Sequence, residues 1–514
     1  MSEDSDSASA TPLTNEYLDD RVFKFQVYFW NNDGRLVKIP KSAIKELIIP
    51  DNLLDWYHSG YMVFSNPKDV FERASKKYTD GQETDILPYR FRNDGRDYLY
   101  IEIDVPIQDD ITSSESLKNE IFTIRLMCSV YNTEDISGGK PEDKLKKVHF
   151  WDYRHQIMLE HNMFWSSAHA VNRQGNNDTV KSLYLLDDKG RSVYTGDGIK
   201  DLITECLKTG ENVPEFEDDF SKGGDKIFYT SPVNCKVSDD LDHLVSKHVH
   251  DSKHAEPCIL RVNRFTDKWS LLPISEYFRR AYISDKKIPG EYQLDKFYIG
   301  DESLPEEVST NRLRTPDKVT AMNNFFVDAN VINDFEFLEM SALDNTNYMN
   351  TTLVHMYDHE TKQFNIQQEE SDISNTRDFM KENIIGNMLG GEGGVFPNIV
   401  LNKKRKDNQN VMTQFTTDAN KVKEYAIGRN RTIMTAILTG NTIQFSVKGL
   451  PSRQAGRFIA IDRDSGYSEN DFDDKILGQY LVTSVIHQIT NKGYNNEVIA
   501  VKPYYFKDPE FNEE

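Results

Sequence analysis

The chain has few cysteines for its length, and they do not form a metal-binding pattern. Its 514 residues contain Cys128, Cys206, Cys235 and Cys258, and no two of these are spaced as Cys-x-x-Cys. This spacing excludes a disulfide framework and a zinc ribbon, and it favours assembly in a reducing compartment. Long apolar runs are missing too. Without about 18 consecutive apolar residues, the sequence predicts no membrane span.

Positive charge is also scarce. Lys and Arg number 61 against 83 Asp and Glu, which gives a formal net charge of −22. A general nucleic-acid binder needs a cationic surface, so this balance argues against that function, although it allows a basic patch or a channel that nucleic acid passes without adhering. Residues 1–18 are acidic and Ser-rich and lack the basic and apolar regions of a signal peptide. We expect them to be a disordered tail, and residues 507–514 likewise.

Motifs for catalytic or cofactor chemistry are missing as well. The Gly-rich stretch 386–396 is not followed by the Gly-Lys-Ser/Thr of a P-loop. The stretch 462–474 begins Asp-x-Asp like a calcium loop, but Tyr467 takes the place of the required Gly and no Glu closes the loop. His355 and His359 are four residues apart in a strand pattern, and no Glu follows His355. We therefore predict no enzyme and no catalytic, cofactor or metal residue.

Four histidines, at His243, His248, His250 and His254, raise zinc as an alternative. Zinc needs ligands that converge on one point. On a helix over 238–249, His243 and His250 share a face but lie two turns apart, whereas His248 falls on the apolar stripe. A helix surface that ends in cationic histidines fits this pattern better. The sequence alone leaves metal binding here open.

Alternating apolar and polar residues predict strands across residues 19–170 and again across 326–506. In 22–30, for example, Phe23, Phe25 and Val27 fall on one side of the strand. Further strands are predicted at 98–105, 122–131, the start of 147–159, 333–340, 351–358, 431–440, 441–449, 456–463, 478–490 and 496–506. A capped helix is predicted at 370–385.

In residues 171–325 the apolar residues no longer alternate as in strands but recur partly at helical spacing. Helical spacing marks 196–207 and 238–249, the second with Ser238 as N-cap and Asp239 and Asp240 in its first turn. A hairpin over 257–274 follows, and 283–325 is polar enough to be a linker. The predicted fold is mainly β with an α+β insertion, in which two small antiparallel β-barrels flank a middle α/β module.

The strand 478–490, GQYLVTSVIHQIT, contains one histidine. Its odd positions place His487 on the more apolar face, with Leu481, Val485 and Ile489. A histidine in that setting is more often a packed and hydrogen-bonded structural residue than a base.

The C-terminal block carries a familiar order. "LTGNTIQFSVKGLPSRQAGRFIAIDR", an acidic loop and "GQYLVTSVIHQITNKGYNNEVIAVKPYYF" resemble the tube-forming barrel of bacteriophage baseplate hub proteins, which are related in fold to type VI secretion spike proteins. The matching positions, called the signature residues below, are Gly440, Gly449, Gly456, Gly478, Tyr480, His487, Gly493 and Tyr494. Stretches such as 44–67 and 238–282 are also similar, whereas 283–325 and 386–410 have no counterpart.

The resemblance implies a structural virion protein, the central hub of a tail baseplate. Such a hub is a homotrimer in which each subunit contributes two tube-forming barrels, so that a pseudo-sixfold ring joins the tail tube to the central spike. Its expected partners are the spike, tail tube and baseplate wedge proteins, with phage DNA passing through the lumen without specific binding. Assembly is expected in the host cytoplasm. The alternatives are a tail-associated cell-wall hydrolase and a receptor- or glycan-binding tail protein.

Overall fold

The structure of the chain is a computed structural model. It describes residues 24–31, 35–39, 41–66, 76–79, 82–86, 91–105, 123–137, 144–166, 193–210, 212–218, 220, 226–227, 229–248, 258–264, 266–273, 277, 296–299, 329–332, 334–338, 351–358, 363–370, 414–416, 441–462, 476–490 and 493–502. The predicted strand at 431–440 and all of the predicted helix at 370–385 except its first residue, which ends a strand, lie outside these residues. So do His250, His254, His359 and Gly440.

An N-terminal group of strands confirms the predicted alternation. Its strands are β1 (Lys24–Asn31), β2 (Arg35–Ile39), β3 (Ile44–Asn52), β4 (Ser59–Ser65), β5 (Lys76–Thr79), β6 (Gln82–Ile86), β7 (Asp97–Asp104), β8 (Thr123–Ser137) and β9 (Lys144–Asp152), with a 3-10 turn at Lys41–Ala43. In β1, Phe25, Val27 and Phe29 are buried and pair with apolar residues of β7. One face of these strands therefore builds the first hydrophobic core.

A middle group contains the helices. Its elements are α1 (Tyr153–Glu160), β10 (Val193–Tyr194), α2 (Thr195–Leu207), β11 (Lys226–Ile227), α3 (Val237–Lys247), β12 (Cys258–Val262) and β13 (Trp269–Pro273). The apolar stripes of α2 and α3 pack together with the hairpin β12–β13 around the buried rings of Trp165 and Trp269. Trp56, from the loop between β3 and β4, enters the same core and ties this group to the first.

The start of α3 differs from the prediction. Asp239 and Asp240 lie in its first turn as expected, but Ser238 is not the N-cap, because the helix begins at Val237 and Lys236 precedes it. Val237 is fully buried in the core of the middle group. Its burial accounts for a helix that begins before the serine, since tertiary packing overrides a local capping preference.

The C-terminal group contains the remaining strands. They are β14 (Lys296–Ile299), β15 (Val331–Ile332), β16 (Phe335–Leu338), β17 (Thr351–Asp358), β18 (Gln363–Glu370), β19 (Gln414–Thr416), β20 (Asn441–Lys448), β21 (Phe458–Asp462), β22 (Gly478–Thr490) and β23 (Gly493–Lys502). β14 lies within 283–325, where the sequence predicted a linker. It is a four-residue strand, parallel to β15 and β21, with Phe297 and Tyr298 buried. A strand buried on both faces lacks the alternation that marks a half-exposed one.

Most strands of the two β groups belong to one sheet. Its order is β15-β14-β21-β22-β3-β4-β9-β8-β7-β1-β2-β5-β6, with β23, β20 and β16 continuing from the other edge of β22. The sheet is mostly antiparallel, which confirms the mainly β class. No pairing among the described residues closes either group into a ring. Two closed barrels therefore stay a prediction, as do the boundaries at 19–170, 171–325 and 326–506.

A bulge in β22 changes which side chains share a face. Its pairing with β23 shifts between Val482 and Ser484, so Thr483 is the extra residue. Before the bulge, Tyr480 and Val482 face the C-terminal core; after it, Val485 does. The sequence placed Leu481 on the same face as Val485, His487 and Ile489. That prediction is wrong for Leu481, because the one extra residue at the bulge shifts the alternation of faces by one position.

Candidate functional site

The two β groups meet edge to edge along β22. The first residues of β22, from Gly478 to Leu481, pair with β21. Beyond the bulge the same edge of the strand pairs instead with β3, where Ser484–Thr490 lie antiparallel to Glu46–Asn52. One strand therefore belongs to both groups, and the side chains at this change of partner form the candidate site.

We call this site the buried junction. Its side chains are Asp51, His58, Arg261, Arg264, Arg453, His487, Tyr494 and Asn496. They come from β3 and the loop after it, from β12 and the turn after it, from the segment between β20 and β21, and from β22 and β23. All three parts of the chain thus supply polar groups to one buried place.

Asp51 anchors the junction. It is 2% exposed, and Arg261 Nη2 donates to its Oδ1 at 2.6 Å while the Ala455 backbone N–H donates to its Oδ2 at 3.0 Å. The second terminal nitrogen of Arg261 donates to the Asn52 carbonyl at 3.1 Å. Burial alone would raise the pKa of Asp51, but Arg261, with lesser help from His58 and Arg264, holds it at about 2. The carboxylate therefore stays charged and links the N-terminal group to the other two.

His487 lies fully buried beside this pair. Arg264 Nη1 lies 3.0 Å from its Nε2, and Tyr494 Oη lies 2.7 Å from its Nδ1. Because a guanidinium only donates, Nε2 is the acceptor in the contact with Arg264, while Nδ1 lies within hydrogen-bonding distance of the Tyr494 hydroxyl. Asn496 Nδ2 lies 2.9 Å from the same nitrogen.

The junction histidines are held neutral. Burial lowers the pKa of His487 well below its ordinary value, and Arg264 lowers it further. Burial also lowers the pKa of His58 to about 4, and Asp51, 3.9 Å away, offsets only part of that effect. Burial likewise raises the pKa of Tyr494. These three side chains are therefore neutral beside the charged carboxylate of Asp51.

Two arginines fasten the segment before β21 to the junction. Arg264 Nη2 donates to the backbone carbonyls of Pro451 and Arg453, the latter at 3.0 Å. Arg453 in turn donates to Asn496 Oδ1 at 2.9 Å and to the Ala329 carbonyl at 2.6 Å. Both guanidinium groups thus satisfy backbone carbonyls that the sheet leaves unpaired.

The signature residues fall in this region, apart from Gly440. Gly449 donates its N–H to the Tyr494 carbonyl at 2.8 Å, and a Cβ there would lie 2.3 Å from the Tyr494 ring. Gly456 has φ +85° and donates to the Val482 carbonyl at 2.8 Å. Gly478 and Gly493 begin β22 and β23, and the buried Tyr480 hydroxyl donates to the Ile476 carbonyl at 2.6 Å. Their role as family signatures stays a prediction.

A second contact fixes the middle group to the first. Asp152 caps α1 by accepting from the Arg154 backbone at 2.8 Å, and Arg154 also reaches Asp267 in the β12–β13 turn at 2.6 Å. Burial would raise the pKa of Asp152, but Arg154 outweighs it and the pKa is lowered. Nearby, the ring of His155 stacks on Tyr57 with centroids 3.6 Å apart.

The geometry of the buried junction suits a structural role, in which its side chains join the three parts of the chain, better than it suits proton transfer to a substrate. A general base must reach a substrate proton, yet His487 is fully buried with both ring nitrogens next to protein groups. Within the described ranges, no group of three or more His, Cys, Asp or Glu could hold a metal ion. His243 stacks on Tyr229, and His248 is buried 2.9 Å from the Thr195 hydroxyl. No described helix is long and apolar enough to cross a membrane.

Sequence reasoning found His487 and missed most of its surroundings. Asp51 and Arg261 are 210 residues apart, and no local pattern joins them. One signal was available: Arg261 interrupts the apolar strand β12, whose five residues are all buried. A basic residue in a buried strand requires a charged or polar partner.

Comparisons with known proteins give matches in structure alone. No family model and no curated protein matches the chain. The fold is similar to a tail protein from Neisseria meningitidis MC58, with TM-score 0.42, 10% identity, and coverage of 94% of this chain and 98% of that one. It is similar to the 43 kDa tail protein of prophage MuSo2 from Shewanella oneidensis, with TM-score 0.43, 7% identity, and coverage of 95% and 99%.

A third match is the Francisella PdpA–VgrG complex in its half-lidded form, with TM-score 0.41, 11% identity, and coverage of 96% of this chain and 60% of the matched one. Tail proteins are thus among the matches, and tail proteins are the class that the C-terminal block resembles in sequence. The function proposed below rests on the strand order and contacts of this chain and on the sequence resemblance of its C-terminal block.

Proposed function

We propose that this chain is a structural protein of a phage tail, the central hub of the baseplate. Three copies form a ring of six similar units that joins the tail tube to the central spike. The observation that carries the proposal is a strand order that occurs twice in one chain and is joined edge to edge.

The two orders correspond strand by strand. The N-terminal group runs β3-β4-β9-β8-β7-β1-β2, and the C-terminal group runs β16-β20-β23-β22-β21-β14-β15. β8–β9 and β22–β23 are then the matching long hairpins. The correspondence is one of order, since β14 is parallel to β21 whereas β1 is antiparallel to β7. Each group would be one small barrel of the ring.

The join between the groups is heterologous. β3 of the first group pairs with β22 of the second, so two different edges meet. A head-to-tail contact repeated around an axis gives a closed ring when the rotation closes, and closure removes the exposed edges. Two units per chain and three chains would give sixfold pseudosymmetry on a threefold axis. That geometry suits an adaptor between a sixfold tube and a threefold spike.

The remaining parts of the proposal follow from this role. The spike, tail tube and wedge proteins would bind the ring, and DNA would pass through its lumen in the virion. The formal net charge of −22 disfavours adhesion of DNA to the walls. The chain would be assembled in the host cytoplasm and would perform no enzymatic reaction.

Particle mass and symmetry test the proposal. Light scattering of the full chain should give three times 59.5 kDa, and electron-microscopy class averages should have threefold symmetry with six lobes. A stable particle of 59.5 kDa at micromolar concentration would contradict the hub. Cleavage of purified peptidoglycan by that particle would instead favour the hydrolase.

One observation favours a second candidate, glycan binding. On the outward face of the N-terminal group, Trp30 stacks with Tyr98 at 5.7 Å, and Tyr131 stacks with Trp151 at 3.9 Å, all partly exposed. Partly exposed aromatic faces are surfaces on which sugar rings can pack. Glycan-array binding that is lost in W151A and kept in Tyr57→Phe would support this candidate over a purely structural role.

A further inference from the structure

One edge of the second half of β8 pairs with no described strand, although the Thr133 hydroxyl in this half donates to the Asn93 side chain at 3.0 Å. β7 pairs with β8 only as far as Val130, while β9 follows the opposite edge to Ser137. A bulge between Val130 and Asn132 separates the two halves of β8. Among the described residues, nothing pairs with the β7-side edge beyond Val130. β22 has the same plan, with its bulge between Val482 and Ser484, but there β3 pairs with the half beyond the bulge.

β16 has the complementary open edge. It pairs with β20 along one side, and no described strand lies on the other. In the duplicated order, β16 holds the position that β3 holds in the N-terminal group. Phe335 and Leu338 of β16 are among the large apolar side chains that remain exposed, the latter at 43%.

We propose that β16 of one copy pairs antiparallel with the second half of β8 of a neighbouring copy. This inference rests on the proposed ring and specifies its contact between subunits. The pairing would repeat, between chains, the contact that β3 and β22 make within the chain.

The internal contact also fixes the register. Leu47 and Ile48 of β3 lie opposite Ile489 and Gln488 of β22. Aligning the two bulges and the strands that flank them matches Ile48 with Glu336 and Gln488 with Ile136. Ile136 of one copy would therefore lie opposite Glu336 of the next, and Glu134 opposite Leu338.

The side chains suit this register. Ile136 and Leu338 are 42% and 43% exposed, and in this pairing they would be diagonal neighbours on one face, within reach of each other. Glu134 and Asp135 are exposed on the open strand half. Charged side chains on an exposed strand, such as these two, disfavour pairing with unrelated strands. Ile136 and Leu338 thus form the apolar contact of this pairing, and Glu134 and Glu336 lie beside it.

Cross-linking between separate chains tests the register. One chain carries Glu134→Cys and the other carries Leu338→Cys, so that a bond between them must be intermolecular. After mixing and mild oxidation we expect a covalent two-chain species on a non-reducing gel. Wild-type chains set the background from the four natural cysteines. Thr133→Cys with Leu338→Cys is the matched control, because Thr133 lies one residue away and faces the opposite side of the strand.

A charge swap tests the same contact in solution. Leu338→Glu would place an acid opposite Glu134 and should weaken self-association about fivefold at each contact. Adding Glu134→Lys in the same chain should restore it. Val233→Glu, at a site that is 86% exposed and belongs to neither strand, is the control and should leave assembly unchanged. All three sites are solvent-accessible, so unfolding midpoints should match the wild type.

The outcomes separate this inference from the proposed function. A threefold ring that forms in every variant and never cross-links through Glu134 and Leu338 overturns the inferred contact and leaves the hub intact. A chain that remains a single copy overturns both. Cross-linking in the control pair with none in the test pair overturns the register.

Discussion

β22 and β8 are built alike and end differently. Each is a long strand with a bulge, and each leaves its first partner at that bulge. β22 then pairs with β3, above a buried set of polar groups. Beyond its bulge, β8 has no second partner strand among the described residues, and Glu134 and Asp135 are exposed there. Within the described part of the chain, the same strand arrangement thus has both neighbours at β22 and one neighbour at β8.

The carboxylates at the two places make the contrast concrete. Asp51 is buried, and its Oδ1 lies 2.6 Å from Arg261 Nη2. The Asp135 side chain is 70% exposed, and its Oδ1 lies 2.8 Å from Lys146 Nζ. The two distances are similar, so a difference in what each carboxylate contributes to the free energy of unfolding must come from its burial. A buried carboxylate depends on its partners, while an exposed one is solvated by water when the partner leaves.

Removal of the buried carboxylate should have the largest effect. Asp51→Ala leaves Arg261 buried without its anion, and we expect a loss of about 3–5 kcal/mol in the free energy of unfolding. Urea denaturation measures this loss. Asp55→Ala, which removes an exposed acid bonded to the Asn52 side chain, is the control and should cost less than about 1 kcal/mol. Equal effects of the two changes would contradict the importance of burial.

Acidification should weaken the completed junction next. The pKa of His58 is lowered from 6.5 to about 4, so as pH falls from 6.5 to 4 the unfolded chain gains a proton that the folded chain refuses. The unfolding free energy should fall across this window by on the order of 3 kcal/mol from this residue. Asp51 acts in a lower window, since its stabilisation is present above its unfolded pKa of 3.8 and is lost as pH falls toward 2.

The variant His58→Gln isolates this effect, because glutamine does not titrate. Its unfolding free energy should decline less between pH 6.5 and 4 than that of the wild type. A decline of unchanged size would show that other groups account for the pH dependence.

Loss of the buried imidazole should have an intermediate effect. His487→Ala removes the acceptor for Arg264 and a partner of Tyr494, and leaving such groups unsatisfied costs about 1–3 kcal/mol. Thermal unfolding measures the change. In His487→Gln, an amide oxygen can accept from Arg264, so part of the stability should return. If His487→Ala unfolded like the wild type, the junction would not depend on its histidine.

The open strand half should respond least. Glu134→Ala removes an exposed carboxylate that lies 3.2 Å from His149 Nε2, and we expect a change below about 1 kcal/mol in the unfolding free energy of the single chain. A loss as large as that of Asp51→Ala would remove the contrast between the two strands.

Much of the fold could be predicted because alternation is local. β1, β7 and β20–β23 follow from side chains that point to opposite faces, and α2 follows from helical spacing. The burial of His487 follows from its position among apolar neighbours. β14 was not predicted because it is a short parallel strand whose two adjacent central residues, Phe297 and Tyr298, are both buried and give no alternation. The face of Leu481 was predicted wrongly because the sequence does not mark the bulge.

The contacts of the buried junction could not be predicted from the sequence for a different reason. Its contacts join residues such as Arg264 and His487 that are 223 positions apart, and only the sheet order brings them together. The strand order that supports the ring is of the same kind. It is a property of pairing across the whole chain, and no single strand reveals it.

The pairing of β3 with β22 has a consequence for how the chain reaches its folded state. The Asn52 and Ser484 side chains bond across 432 residues, so this edge of β3 cannot be covered until nearly all of the chain has been synthesised. Contacts of such long sequence separation form slowly, because the loop between them must first be closed. During translation the N-terminal strands would wait with an exposed edge, a natural target for chaperones. A chain interrupted before β22 would therefore lack the buried junction.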